Sequence, residues 1–191
     1  RDLEPYRGYH IFMRALPELL RRRPGAQVLI VGDDATGYGS AAPAGSSWRQ
    51  VFSEEVRPQI TSTDWARVHF LGRLDRDAFT SLLKVSRVHV YLSYPFVLSW
   101  SLIEAMSAGA CIVASDTAPV REVITDGEHG RLVEFFDHPT LVERIDGLLD
   151  DASERVRLGA AARTRVCERY DLQTVCLPQQ MQWALDIARR P

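Results

Sequence analysis

The chain has 191 residues, 46% hydrophobic and 25% charged, the balance of a globular domain with a sizeable core. Its formal charge of −2 lacks the basic excess of a nucleic-acid binder, so no nucleic-acid partner is expected. No apolar stretch approaches the ~20 residues of a membrane span and no signal-like segment opens the chain, so a cytoplasmic protein without a span is expected.

Residues 1–8 form a polar loop that feeds directly into a helix. Ile11, Phe12, Ala15, Leu16, Leu19 and Leu20 share one helical face, predicting a helix over about 9–23. Pro17 inside it removes a backbone hydrogen bond and predicts a kink. Arg21, Arg22 and Arg23, the one basic run, complement the helix dipole. Pro24-Gly25 stop this helix, and Gln27–Val31 predicts a buried strand. The loop from Asp33 to Ser47, rich in Gly, Ala and Ser, exceeds ordinary connections and leaves a strand's carboxyl end, which points to function.

Trp48–Arg57 reads as helix, Arg67–Leu71 as strand and Asp75–Val85 as a helix capped by Asp75. Val88–Leu92 and Ala110–Ala114 are apolar strand runs on either side of Tyr94–Gly109. Pro119–Ile124 predicts a short helix, 126–130 a turn, and Arg131–Glu134 a last strand. Three helices, over about 138–150, 153–168 and 171–188, close the chain. This alternation predicts an α/β fold, a Rossmann-like doubly wound parallel sheet covered on both faces, as one domain over 1–191. Such a sheet has a strand ahead of a loop like residues 1–8. The chain therefore reads as a piece of a longer protein, lacking its first strand.

Cys111, Cys167 and Cys176 are odd in number and lack metal-ligand spacing. They read as reduced thiols, with Cys111 in a buried strand, and no metal site is expected. No glycine-rich fingerprint is present and Lys84 is the only lysine, which excludes a phosphate-loop NTPase. The histidines are scattered, with His69 and His89 in strand runs, and no Gly-x-Ser-x-Gly elbow marks a hydrolase.

In open α/β sheets ligands bind outside the carboxyl ends of the strands, which singles out Tyr94–Gly109. Glu104 lies about one turn into a helix starting near Ser99. It is either a ligand contact or the far end of a Ser101-x-x-Glu104 capping box. Phe96, Val97, Leu98 and Ser99 either present backbone N–H groups to an anion at the helix N-terminus or pack as core. Arg1 and Arg7 share one loop at a carboxyl edge. Paired guanidiniums suit a diphosphate, and two solvated charges suit the same positions.

Taken in order and spacing, R-D-L-E-P-Y-R-G at residue 1, V-L-I-V-G, V-H-F-L-G-R-L, Tyr94–Gly109 and S-D-T-A-P-V-R-E-V-I-T-D-G-E-H-G-R-L-V resemble one known domain. It is the C-terminal, donor nucleotide-sugar-binding domain of a GT-B retaining glycosyltransferase of family GT4, and the resemblance covers nearly the whole chain. The resemblance implies that Arg1 and Arg7 grip the donor diphosphate and that Gly72, Arg73 and Leu74 meet the nucleobase through backbone groups. It implies that Glu104 accepts hydrogen bonds from the ribose hydroxyls, and that a nucleotide-diphosphate sugar is the donor substrate, with no cofactor. An acceptor saccharide or lipid-linked saccharide would be held by an absent N-terminal domain, toward which residues from about 171 pack back. The complete enzyme is then a hexosyltransferase, peripheral at the inner membrane, and the isolated fragment is inactive.

One position departs from the pattern. The family shows E-G-F-G-L, with a glutamate eight residues before the second one; here that position is Phe96, followed by Val97, Leu98 and Ser99. The carboxylate that would hold a donor-sugar hydroxyl is missing, which implies an altered donor choice. A non-catalytic nucleotide-sugar-binding or degenerate transferase subunit is the competing reading.

Overall fold

The computed structural model describes residues 2–35 and 37–189. Within them the strands are β1 (Val28–Val31), β2 (Val68–Gly72), β3 (His89–Tyr91), β4 (Ile112–Ser115) and β5 (Arg131–Val133). The α-helices are α1 (Tyr9–Arg22), α2 (Trp48–Val56), α3 (Ser62–Trp65), α4 (Arg76–Val85), α5 (Trp100–Ser107), α6 (Ala118–Arg121), α7 (His138–Asp150), α8 (Ala152–Tyr170) and α9 (Leu177–Ala188). Among the described residues no helix is long and apolar enough to cross a membrane.

All ladder pairings are parallel, as the strand–helix alternation requires. The expected doubly wound sheet is present in two pieces: β1 pairs with β2, and β3, β4 and β5 form a second sheet in that order. A cavity of about 1130 Å³ runs between β1 and β3. Asp2 bridges Asp33 in parallel at the end of β1, and the Leu3 N–H donates to the Asp33 carbonyl at 2.8 Å.

β4 is buried along its whole length. Val113 faces a cluster with Ile11 and Leu19 of α1 and Leu141 and Ile145 of α7. Ile112 and Ala114 face the opposite cluster, with Leu102 and Met106 of α5 and Ala162 and Val166 of α8. A third cluster joins β1 and β2 to α1 and α2 through Leu16, Val28, Phe52 and Val68. Each Val, Leu, Ile, Phe or Met side chain among these contributes about 1.5–3 kcal/mol when fully buried, and the alanines less.

Pro17 lies inside α1, whose predicted apolar face is buried. Arg21 and Arg22 pair with Glu18, and Arg23 reaches Asp146 and Asp150, so the basic run ties α1 to α7. Asp75 caps α4 as expected, accepting the Ala78 N–H at 2.8 Å. Cys111 is buried one residue ahead of β4, and desolvation pushes its thiol up to about 11. Burial pushes the pKa of His89 down to about 4, which keeps it neutral within β3.

Three features differ from the expected elements. β1 is not buried throughout, because Leu29 is 42% exposed and only Val28 and Ile30 are buried. α3 is an unexpected turn of helix, capped by the Thr61 hydroxyl on the Asp64 N–H. The last predicted helix is divided, because Asp171 accepts the N–H groups of both Gln173 and Thr174 and the chain runs through a π turn, Leu172–Cys176, before α9 begins. α9 buries none of its residues.

α8 and the turn after α5 approach closely at two glycines, beside the bond that Arg163 donates to the Ser107 carbonyl at 2.7 Å. A Cβ on Gly159 would collide with the carbonyl oxygen of Gly109, which itself sits in a left-handed turn at φ 73°. Gly147 of α7 has open space where its Cβ would stand. Gly159→Ala should therefore destabilise by about 1–3 kcal/mol. Gly147→Ala should stabilise by about 0.5–1 kcal/mol. Urea unfolding midpoints read both, and shifts of one sign for the pair would contradict the packing described.

Candidate functional site

The carboxyl ends of the strands and the loop at residues 2–8 surround one mouth of the cavity. Asp2, Arg7, Arg73, Leu74, Trp100 and Glu104 line it there. Among the described residues no group of three His, Cys, Asp or Glu is placed to hold a metal ion.

Arg7 closes a 3-10 turn, Pro5–Arg7, and its side chain is mostly buried. Its guanidinium lies 5.5 Å from the centre of the Tyr38 ring, and its Nε lies 4.0 Å from Glu4 Oε1. Gly8 follows at φ 69°, where a Cβ would strike the Leu92 side chain. Only glycine lets this loop pass so close to the end of β3. Arg1, the other half of the expected guanidinium pair, lies outside the described residues.

Gly72 ends β2 at φ 66°, and its carbonyl accepts the Gly32 N–H at 3.0 Å. Arg73 then stands exposed, 3.5 Å from Asp33 and 3.7 Å from Asp2, tying the loop after β2 to the loop after β1.

The chain leaves β3 through a side-chain graft on the ladder. The Ser93 N–H donates to Ser115 Oγ at 3.0 Å, and that hydroxyl donates to the Ser93 carbonyl at 2.9 Å. Both serines are buried. With its main chain satisfied there, the segment turns away, and the Tyr94 N–H donates to the Tyr6 carbonyl at 3.0 Å.

Ser99 caps α5, accepting the Ser101 N–H at 3.3 Å. Ser101 is thus inside the helix, which removes the capping-box reading of Glu104. The Glu104 side chain is exposed, and among the described residues no hydrogen bond or ion pair engages its carboxylate.

The four residues before the helix divide in role. Ser99 is buried and its N–H donates to the Tyr91 phenol oxygen at 3.1 Å, so that group is not open to a ligand. Leu98 packs against the α5–α8 core, whereas Val97 is exposed. Phe96 meets the rings of Tyr38 at 5.2 Å and Tyr6 at 5.7 Å. Glu4 and Tyr6 lie within the opening R-D-L-E-P-Y-R-G without being singled out there, and Tyr38 is marked only by the long loop that holds it and by the glycines on either side.

A family model described as glycosyl transferases group 1 matches residues 1–165. The phosphatidyl-myo-inositol mannosyltransferase of Mycolicibacterium smegmatis is 33% identical over 177 residues, covering 90% of this chain and 40% of that protein. The glycogen synthase of Mycobacterium tuberculosis is 27% identical over 173 residues, covering 91% of this chain and 38% of that protein. The chain thus spans about 40% of the length of the curated relatives it matches. Among solved structures, a glycosyltransferase from Rickettsia africae superposes with a TM-score of 0.82 at 18% identity, covering 100% of this chain and 47% of that one. The Anabaena protein HepE, solved in complex with UDP-glucose, gives 0.77 at 24% identity, covering 97% and 46%. These likenesses show the fold.

Ser115→Ala would strip both backbone groups of Ser93 of their partner in a buried place. A loss of about 1–3 kcal/mol is expected. Urea unfolding measures it, and stability equal to wild type would show that the serine graft does not hold the end of β3.

Proposed function

The chain belongs to the glycosyl transferases group 1 family, and on that premise we propose that it is the donor-binding half of a retaining glycosyltransferase. The complete enzyme moves a hexose from a nucleotide-diphosphate sugar to a saccharide or lipid-linked acceptor. One observation carries this reading: the Arg7 guanidinium and the unengaged Glu104 carboxylate line the same cavity mouth at the carboxyl edge. A nucleotide's diphosphate needs cationic donors, and its ribose needs an acceptor for hydroxyl hydrogens.

In this reading Arg7 and Arg1 neutralise charge on the leaving diphosphate as the sugar–phosphate bond breaks. Glu104 holds the ribose, and Gly72, Arg73 and Leu74 meet the base through main chain. Fixing these parts orients the anomeric carbon toward the acceptor. Guanidinium charge does the neutralising, so the reading calls for no cofactor. Backbone N–H groups of Phe96, Val97 and Leu98 face the phosphate and the sugar.

The acceptor is held by a domain outside this chain, against which α9 packs, so the 191-residue chain alone transfers no sugar. The mannosyltransferases of phosphatidyl-myo-inositol among the relatives favour a lipid-linked acceptor. A lipid-linked acceptor would bring the complete protein to a membrane surface. Phe96 in place of a carboxylate favours one other reading, a nucleotide-sugar-binding subunit without transfer.

Calorimetry of the complete protein with UDP, GDP, ADP and their hexoses tests the proposal. One base should bind, and Glu104→Ala should weaken it about 10–100-fold, the loss expected for hydrogen bonds to a charged acceptor. Failure of all three to bind overturns it. Sugar transfer by the complete protein, with none by the chain alone, separates the transferase from the non-catalytic subunit.

A further inference from the structure

The long loop between β1 and α2 is held by a buried charge. Glu4 is 1% exposed, and its carboxylate accepts the Gly39 N–H at 2.9 Å and the Tyr38 N–H at 3.4 Å. No side chain keeps it from the main chain. A Cβ on Gly37 would lie 2.7 Å from Glu4 Oε1, and one on Gly39 would lie 3.1 Å from Oε2. Gly37-Tyr38-Gly39 is therefore a latch, and what it fixes is the ring between the glycines.

Tyr38 is 67% exposed, too open to be core. Its ring lies 5.2 Å from that of Phe96 and 5.5 Å from the Arg7 guanidinium. Phe96 in turn meets Tyr6 edge-on, at 5.7 Å. Arg7 is the neighbour that gives these rings a ligand: a group bonded to a phosphate held at Arg7 is brought to them.

We propose that Tyr38, latched by Glu4, is a donor-specificity residue, and that with Phe96 it selects a nucleotide-activated deoxy sugar. The proposal rests on reading the cleft as a nucleotide-sugar site. A sugar hydroxyl turned to the Phe96 ring gives up water and gains no acceptor, whereas a carbon–hydrogen edge gains aromatic contact. An apolar wall disfavours an added hydroxyl by about tenfold to a hundredfold. Glu4 touches no ligand and is a positioning residue, acting through Tyr38 and through Arg7, whose Nε lies 4.0 Å from its carboxylate.

The test is calorimetry of the complete protein with the nucleoside diphosphate that binds, its hexose, and the monodeoxy analogues of that hexose. The readout is the ratio of the tightest deoxy affinity to that of the parent hexose, which a merely structural role would not move. A ratio of about ten or more is expected in wild type, near unity in Tyr38→Ala, and inverted in Phe96→Glu. Tyr38→Phe keeps the ratio because the ring remains. Glu4→Gln keeps it by retaining an acceptor oxygen for Gly39, and Gly39→Ala lowers it by crowding that oxygen. A wild-type ratio at or below one, with the bare diphosphate still bound, overturns this proposal alone. A ratio unchanged in Tyr38→Ala does the same. Failure of the bare diphosphate to bind overturns the reading of the cleft and this proposal together.

Discussion

β4 can exist only where both its faces are covered, because a parallel strand of this composition has no side to offer water. Val113 on one face calls for α1 and α7, and Ile112 and Ala114 on the other call for α5 and α8. The same demand orients the helix at the cleft. Leu102, Ala105 and Met106 recur at helical spacing and are buried, so Glu104 falls off the inward face. The main-chain contact of Gly159 with Gly109 then sets how closely α8 can approach the turn after α5.

What was legible in the sequence is what neighbouring residues decide. Apolar runs marked each strand to within a residue or two, and Asp75 announced the start of α4. α3 is too short to show a helical period, and the π turn depends on how Asp171 divides its oxygen between two N–H groups. The division of the sheet left no local mark, since no residue type declares which edge of a strand goes unpaired. Glu104 had two meanings that spacing could not separate; the choice fell to Ser99, two residues ahead of the expected cap. Glu4 was opaque for a different reason. Its partners are main-chain N–H groups 34 and 35 positions away, and the enabling feature is the absence of side chains at Gly37 and Gly39.

The cleft mouth is assembled from pieces that brace one another. Arg73 draws Asp2 and Asp33 together, the Tyr94 N–H rests on the Tyr6 carbonyl, and Ser115 secures Ser93 just before the chain turns outward. Two of these braces join loops to one another and the third ties a loop to the end of β4, so the site's geometry is set by loops held together on a rigid sheet. Phe96 belongs to this bracing as much as to any ligand. Its ring partners come from the opening loop and from the loop after β1.

Trp100 gives the cleft an optical handle. Trp48 stacks on Phe52 and Trp65 lies against Phe70, both half-buried against the third core, so their indoles are less exposed to water than that of Trp100. Trp100 stands at the mouth, 80% exposed, at the first position of α5. Its emission belongs at the red, water-relaxed end of the indole range, alongside that of the exposed Trp183 on α9. With Trp183 replaced by phenylalanine, the red component of the fluorescence would come from the cleft, and a blue shift or quench on adding a ligand would time its arrival in a stopped-flow mixer.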